Sequence, residues 1–429
     1  MSTQTPDITS TALRAAERIG RDLCATAFWD EGRRLCTWMS RTDVEDSSGA
    51  GLAAAVAALG PQLYSGTAGV ALFLGELHAF THDEEARLTA EGALRRTLSY
   101  LRRRETLASA ISFHLAHLGA AYVLARFRDL GLGEDLWGEA EWLLDEAERA
   151  LAGEHLLDTL GGTAGAIPAL LSLRGQPHGE RAAALARACG EELCRRAARM
   201  GETCAWEATE ASGPSFVSPP LTGLSHGAAG VGLALFELYA ATGDEEFLRT
   251  ARGAFAYEDT LFSPAAGNWI DVRFPYADYG GGPAGTTQAT WCHGAPGIAL
   301  ARARTSRLDP ERAEAHAAAA RMGVGATMFA VQQNLQAPNF DATLCHGLAG
   351  LSETLLICGL LLADDNCVET ARAVTAELVR RYGDSGAWPS GIQTGGSNPM
   401  FMIGTSGVGH HLLRLHAPER VPPVLIIKN

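Results

Sequence analysis

The sequence predicts an all-α fold in which helices form a double ring. A short glycine string recurs roughly every fifty to sixty residues, which indicates an internal repeat. Each string is followed by an apolar helix, and amphipathic helices alternate with the apolar ones. With 429 residues, 47% of them hydrophobic and 20% charged, the chain can bury a large core. A repeat architecture can use this length as one closed unit.

The recurring strings have the form Gly-x-x-Gly. Glycine lets the backbone of a loop approach closely at the point where the following helix begins. Six copies are clear and a seventh is degenerate: they lie at 65–69, 161–165, 226–230, 293–297, 346–350 and 403–407, with the degenerate copy at Leu118-Gly119-Ala120-Ala121.

The helical segments between the strings differ in polarity. Apolar helices are predicted directly after the strings, for example at Val231–Tyr239 and Ile298–Ala303. The charged, amphipathic helices include Asp83–Arg103, Leu136–Leu151, Arg181–Met200 and Cys367–Arg381. Apolar helices packed inside amphipathic ones form the double ring, and the N-termini of the inner helices would converge at one end. Residues just before or within the strings would therefore gather at a single site.

Two strings carry cysteine and histidine together, in Trp291-Cys292-His293-Gly294 and Leu344-Cys345-His346-Gly347. Cys292, Cys345 and His346 are ligands of the kind that zinc prefers, and three protein ligands leave a fourth position for water or substrate. Two thiolates and a neutral imidazole neutralise most of the metal charge, which favours sulfur nucleophile chemistry over a zinc hydrolase. The alternative interpretation is two buried cysteines and a loop histidine.

Two further residues are expected at the same end of the ring. His226 opens the string 226–230, and Asp158 stands four residues before Gly162. A histidine near zinc but not bound to it can act as a general acid or base. Both residues have structural alternatives, a loop or capping role for His226 and a helix cap for Asp158.

Composition excludes several function classes. The formal charge of −14 leaves no basic face for nucleic-acid phosphates. No apolar run reaches the length of about 20 residues that a membrane span needs, and the N-terminus has no signal-peptide pattern. A cytoplasmic protein is expected, with its nine cysteines as thiols, metal ligands or core residues.

The strings and the two cysteine motifs, with His226-Gly227 before them, resemble the lanthionine synthetase C-like family from about residue 60 to the C-terminus. Finer features resemble the cyclase part of class II lanthipeptide synthetases: Tyr257–Phe262, Gly267–Arg273 and the tail from Leu412 to Leu425. The resemblance implies an α/α toroid of seven inner and seven outer helices with one zinc ion. It divides the chain into an N-terminal helical extension, 1–50, and a cyclase domain, 51–429.

The resemblance also implies a site and a reaction. The zinc ligands of the family match Cys292, Cys345 and His346, and its active-site histidine and aspartate match His226 and Asp158. The implied reaction is intramolecular Michael addition of a peptide cysteine thiol to dehydroalanine or dehydrobutyrine, which forms lanthionine or methyllanthionine. The implied partners are a dehydrated precursor peptide with a leader, and a separate dehydratase or synthetase partner.

Some positions depart from the family or stay open. Gln288 stands where single-function cyclases commonly have a basic residue, so the role of that residue is not transferred. Trp291 and His293 are expected to support the ligands or face the substrate, and His293 is not expected to be a fourth ligand. Two other functions fit the sequence: addition of glutathione or another thiol to dehydroamino acids in proteins, and a non-catalytic peptide-binding scaffold.

Overall fold

The structure, a computed structural model, describes residues 8–45, 52–103, 110–207, 219–273, 286–337, 340–390 and 398–427. These residues form fourteen α-helices and four small antiparallel sheets of two strands each. The predicted all-α fold is confirmed. Within the described ranges no helix combines the length and apolar character needed to cross a membrane.

Seven helices form a closed inner ring. Each packs against the next inner helix along the chain, and the last packs back against the first. They are α2 (Thr67–Thr81), α4 (His117–Asp129), α6 (Thr163–Ser172), α8 (Ala228–Thr242), α10 (Ala295–Thr305), α12 (Leu348–Leu362) and α14 (Thr405–His416). Each begins within a predicted glycine string or, for α4, next to the degenerate copy.

Seven amphipathic helices form the outer ring. They are α1 (Ile8–Thr26), α3 (Glu84–Arg103), α5 (Ala140–Leu151), α7 (Gly179–Arg196), α9 (Glu245–Asp259), α11 (Ala313–Gln336) and α13 (Asp365–Tyr382). Six of them pack on the inner helix that precedes them in the chain, whereas α1 packs on α14. The α/α toroid of seven inner and seven outer helices is confirmed. The domain boundary at residue 50 stays a prediction, and residues 46–51 lie outside the described residues.

The two kinds of helix follow from their sequences. The inner helix α12 is apolar on all sides and is buried along nearly its whole length. The outer helix α13 buries one stripe, which includes Cys367, Val374 and Leu378. Its start is fixed by Asp364, whose carboxylate accepts hydrogen bonds from the backbone N–H groups of Asn366 and Cys367.

Two predicted helix boundaries are wrong. The helix predicted from Leu136 begins as a short 3₁₀ helix, Glu134–Glu139, before α5. The helix predicted to run to Met200 ends at Arg196, because strand β5 (Ala198–Met200) turns back at Gly201 to pair with β6 (Thr203–Ala205). Gly201 has a φ of +61°, which favours glycine.

The other strands also form short hairpins. In these hairpins Phe28 lies opposite Thr37, Met39 lies opposite Ala58, and Phe262 lies opposite Trp269. The strands are β1 (Phe28–Trp29), β2 (Cys36–Thr37), β3 (Met39–Glu45), β4 (Leu52–Ala58), β7 (Phe262–Ser263) and β8 (Asn268–Trp269).

The second glycine of each string fixes the start of an inner helix. In all seven copies a Cβ atom at this position would overlap the backbone carbonyl oxygen of the residue six positions earlier. Only glycine therefore allows the helix to begin against its own loop. The seven second glycines are Gly69, Gly119, Gly165, Gly230, Gly297, Gly350 and Gly407.

The degenerate copy is aligned differently from the prediction. Gly119 is its second glycine, because a Cβ atom there would overlap the carbonyl oxygen of Phe113. Ala116 takes the place of the first glycine, directly before α4, with a φ of −153° that alanine can adopt. This copy has the same backbone geometry as the other six, although its sequence differs from theirs.

The seven loops before the inner helices are bonded to one another in a closed ring, here called the loop ring. In every loop, the carbonyl group of the residue five positions before the second glycine accepts a hydrogen bond from the preceding loop. Six of these carbonyl groups accept from backbone N–H groups at 2.8–3.1 Å, and the seventh, that of Leu160, accepts from the hydroxyl of Ser112, the residue directly before the second loop. The loops are residues 63–69, 113–119, 159–165, 224–230, 291–297, 344–350 and 401–407.

Buried ion pairs join neighbouring inner helices two turns beyond the loop ring. Arg126 bonds Glu76 at 2.8 Å, and Arg304 bonds Glu237 at 2.6 Å. All four residues stand seven positions after a second glycine, and so does Arg414, which bonds Glu353 of α12 at 2.8 Å. Because removing one member leaves a buried charge unpaired, these pairs fix which helices lie side by side.

We expect Gly165→Ala to destabilise the protein by about 1–3 kcal/mol, because its methyl group would overlap the Thr159 carbonyl oxygen. The matched control is Gly325→Ala in α11, where a methyl group meets no atom within 4 Å and should stabilise by roughly 0.4–1 kcal/mol. Urea unfolding of both variants measures the difference. Equal effects of the two substitutions would contradict the steric role of the second glycine.

Candidate metal centre

The loop ring places the predicted metal ligands at equivalent positions. Cys292 and Cys345 each stand five residues before a second glycine, and His346 stands four residues before one. Their loops are neighbours in the ring, joined by the hydrogen bond from the Trp291 N–H group to the Cys345 carbonyl oxygen at 3.1 Å. The structure therefore brings Cys292 next to Cys345 and His346, which follow it in the sequence by more than fifty residues.

The geometry of the three side chains fits a zinc ion. Their ligand atoms all lie within 4.8 Å of one another, and no other such cluster exists among the described residues. The Cys345 Sγ atom lies 3.4 Å from His346 Nε2. A tetrahedral zinc site with ordinary bond lengths separates a sulfur from a nitrogen ligand by about 3.5 Å.

The cluster is buried on one side and open on the other. Cys345 is 1% exposed and Cys292 is 9% exposed, whereas His346 is exposed to solvent. The two sulfur atoms thus form the floor of the site. An additional ligand can approach from the open side, as a catalytic zinc site requires.

The pKa values of the two cysteines shift in opposite directions. A hydrogen bond from Cys345, aided by His346 and His293, lowers the pKa of Cys292 well below its usual value. Burial and the neighbouring Cys292 raise the pKa of Cys345 well above its usual value. Burial alone would lower the pKa of His346, but its hydrogen bond to Cys292 and the charge of that residue raise it. A zinc ion among these donors would displace thiol protons, because the thiolate is the form that binds the metal.

Two hydroxyl groups lie next to the sulfur atoms. The Tyr64 hydroxyl donates a hydrogen bond to Cys345 Sγ at 3.0 Å. Burial and the neighbouring Cys345 raise the pKa of Tyr64 well above its usual value, so the phenol keeps its proton. The Thr290 hydroxyl lies 3.3 Å from Cys292 Sγ and donates to the His293 carbonyl oxygen at 3.1 Å.

Asp158 and His226 form a hydrogen-bonded pair beside the cluster. Asp158 Oδ2 lies 2.6 Å from His226 Nδ1, and Asp158 Oδ1 accepts the Gly161 backbone N–H at 2.7 Å. The ring of His226 stacks on that of His293 with centroids 5.6 Å apart. Because His293 follows Cys292 directly, the pair lies one side chain away from the three candidate ligands.

Trp291 faces away from solvent. Its indole is 1% exposed, and its N–H group donates to the Leu425 carbonyl oxygen at 2.9 Å. The ring also packs edge-on against His114, with centroids 5.3 Å apart. This placement favours support of the Cys292 loop over contact with a substrate. His293 is buried and is not one of the three clustered residues.

Sequence patterns identify neither Tyr64 nor Thr290 as a residue of this site. The signal that could have found Tyr64 is its position, since it stands five residues before Gly69, as Cys292 and Cys345 do before their second glycines. Among the cysteines outside the site, the core interpretation predicts burial of Cys189, Cys194, Cys358 and Cys367; three of them are fully buried, whereas Cys194 is half-buried.

Comparison with known proteins agrees with the fold and the motifs. The model of the family described as lanthionine synthetase C-like protein matches residues 57–426. No curated protein sequence matches the chain. Among solved structures, a nisin cyclase superposes with a TM-score of 0.69 at 17% sequence identity, over 94% of this chain and 95% of that one. This likeness concerns the fold.

A more distant structural likeness is to an unsaturated glucuronyl hydrolase specific for heparin. Its TM-score is 0.45 at 14% identity, over 80% of this chain and 86% of that one. A score this low supports no functional argument.

Trp291→Phe should loosen the C-terminal tail, because the Leu425 carbonyl group would lose its buried partner. We expect a loss of about 1–3 kcal/mol and faster hydrogen exchange in residues 421–427. The control is Trp38→Phe, which removes a similar bond to the Leu23 carbonyl oxygen at 2.8 Å. Hydrogen-exchange mass spectrometry should show faster exchange of the tail only in the Trp291 variant, and an unchanged tail would refute the assignment.

Proposed function

This chain belongs to the lanthionine synthetase C-like family, and from that membership we propose that it is a zinc-dependent lanthipeptide cyclase. The observation that supports this function best is the cluster of Cys292, Cys345 and His346 beside the pair of Asp158 and His226. Thiolate-rich ligands suit sulfur chemistry, and a carboxylate-bound histidine suits proton transfer.

The proposed reaction joins two residues of one dehydrated peptide. The thiol of a peptide cysteine loses its proton, and its sulfur adds to the β-carbon of dehydroalanine or dehydrobutyrine. A carbon–sulfur bond forms, the carbon–carbon double bond is lost, and the α-carbon takes up a proton. The product is a lanthionine or methyllanthionine ring with the same mass as the starting peptide.

Cys292, Cys345 and His346 would hold the metal through two sulfur atoms and one imidazole nitrogen. When bound, zinc supplies the charge that keeps a peptide thiol deprotonated at neutral pH, and the thiolate is the nucleophilic form. The exposed side at His346 leaves access for the peptide. The Cys345 sulfur atom is buried and shielded from bulk water.

His226 would donate the proton to the α-carbon, and Asp158 would orient it. With Nδ1 bonded to the Asp158 carboxylate, the other ring nitrogen of His226 is the one that exchanges a proton with the peptide. The Gly161 N–H group holds the second oxygen of Asp158, which fixes the direction of the carboxylate. Orientation of His226 is therefore the role we assign to Asp158.

The proposal implies two partners. The substrate is a precursor peptide that carries dehydro residues and a leader segment. Because none of the residues described at this site supplies dehydration chemistry, a dehydratase or synthetase partner must introduce the dehydro residues first.

Cys345→Ala should remove the metal. We expect about one zinc ion per chain in the wild type and a loss of zinc in the variant, because two ligands hold the ion more weakly than three. The matched control is Cys189→Ala, which changes a buried cysteine of α7 outside the site and should keep the zinc. Metal analysis by mass spectrometry measures both. No zinc in the wild type, even after its addition, would overturn the metal mechanism and favour a peptide-binding scaffold.

His226→Ala and Asp158→Asn should keep the zinc but slow ring closure by about 10²–10⁴-fold, because proton transfer loses its positioned donor. Ring closure leaves the peptide mass unchanged, so alkylation of the remaining free thiols followed by mass spectrometry measures the rate. Glutathione in the same assay tests thiol addition, since an adduct raises the mass. Loss of zinc from either variant would contradict these roles, and a glutathione adduct in place of rings would favour the thiol-addition function.

A further inference from the structure

We propose that Tyr64 tunes the metal centre by donating its hydroxyl hydrogen bond to Cys345 when that sulfur atom is a metal ligand. This inference rests on the proposed zinc function and adds a positioning residue to it. Tyr64 comes from the first loop of the ring, and Cys345 comes from the sixth. Their contact is therefore possible only because the ring closes.

The closure of the ring sets this contact directly. The Cys345 N–H group donates to the Met402 carbonyl oxygen at 2.8 Å, and the Met402 N–H group donates to the Tyr64 carbonyl oxygen at 2.8 Å. In the loop ring, the loop of Met402 therefore lies between the loop of Cys345 and the loop of Tyr64. The long side chain of Tyr64 reaches past the intervening loop, and its hydroxyl oxygen lies 3.0 Å from Cys345 Sγ.

The two candidate thiolate ligands have different hydroxyl neighbours. The Thr290 hydroxyl lies 3.3 Å from Cys292 Sγ and 3.1 Å from the His293 carbonyl oxygen, so two acceptors compete for its one proton. The Tyr64 hydroxyl has the Cys345 sulfur as its acceptor among the described residues. Cys345 is thus the sulfur that receives a dedicated O–H donor.

A hydrogen bond to a ligand sulfur changes what the metal offers to its substrate. It draws electron density from the sulfur, so the ligand donates less charge to the metal. A bound metal ion would then keep more positive charge, and a peptide thiol beside it would be more readily deprotonated. The same hydrogen bond makes Cys345 a weaker nucleophile toward the dehydro residue than the peptide thiolate is. Both effects favour attack by the peptide.

Cobalt(II) in place of zinc makes this effect visible, because sulfur-to-cobalt charge-transfer absorption reports electron density on the ligands. In Tyr64→Phe we expect these bands at longer wavelength than in the wild type, together with a decrease in ring closure of about 10- to 100-fold. In Tyr64→3-fluorotyrosine, whose hydroxyl is a stronger donor, the bands should move to shorter wavelength. The control is Tyr122→Phe, which removes a buried hydroxyl that has no partner among the described residues.

The outcomes separate this inference from the proposed function. Failure of the wild type to bind cobalt or zinc would overturn the metal function itself. Normal metal binding with the same bands in the wild type and Tyr64→Phe would overturn the role of Tyr64 alone. If Tyr64→Phe does not fold, the 3-fluorotyrosine protein provides the test. Cobalt bands at the wild-type wavelength in that protein would overturn the role of Tyr64. Opposite shifts in the two Tyr64 variants, without a shift in Tyr122→Phe, would support it.

Discussion

The architecture depends on a repeated close contact between a glycine in the first helical turn and the carbonyl oxygen six residues before it. This contact turns each loop back onto the helix that it starts. The loops then present their carbonyl groups sideways, where the preceding loop bonds them. A local steric constraint, met seven times, thus produces a closed ring of hydrogen bonds that no single repeat could form.

The chemistry of the site follows from this regularity. Because the loops are equivalent, the fifth and fourth residues before each second glycine face the same end of the toroid. Cys292, Cys345 and Tyr64 occupy the fifth position in their loops, and His226 and His346 occupy the fourth. The side chains of the site therefore stand at equivalent positions, and the second glycines set the helix starts. The site therefore consists of different side chains at equivalent positions of a repeated backbone.

Much of the fold could be predicted because its signals are local. Gly-x-x-Gly strings and the change from apolar to amphipathic helices are visible within short windows, and Cys-His-Gly marks the candidate ligands directly. The count of seven inner helices needed the family resemblance, because Ala116 hides one string. The strand after α7 is too short for periodicity to reveal. The spacing of Tyr64 to Gly69 marks its position in the repeat, but its contact with Cys345 depends on ring closure, which no sequence pattern shows.

The metal centre also benefits from rigidity that arises away from it. The loop ring binds the inner helices at their N-termini, and the buried pairs Glu76–Arg126 and Glu237–Arg304 bind neighbouring helices two turns farther on. Each inner helix joined in this way is fixed both by the loop ring at its N-terminus and by an ion pair two turns farther on. These two contacts restrict the movement of its loop. A zinc site needs its ligands within a fraction of an ångström of their final positions, and supports of this kind provide that precision. Helix packing and the candidate metal centre therefore rest on the same repeated backbone.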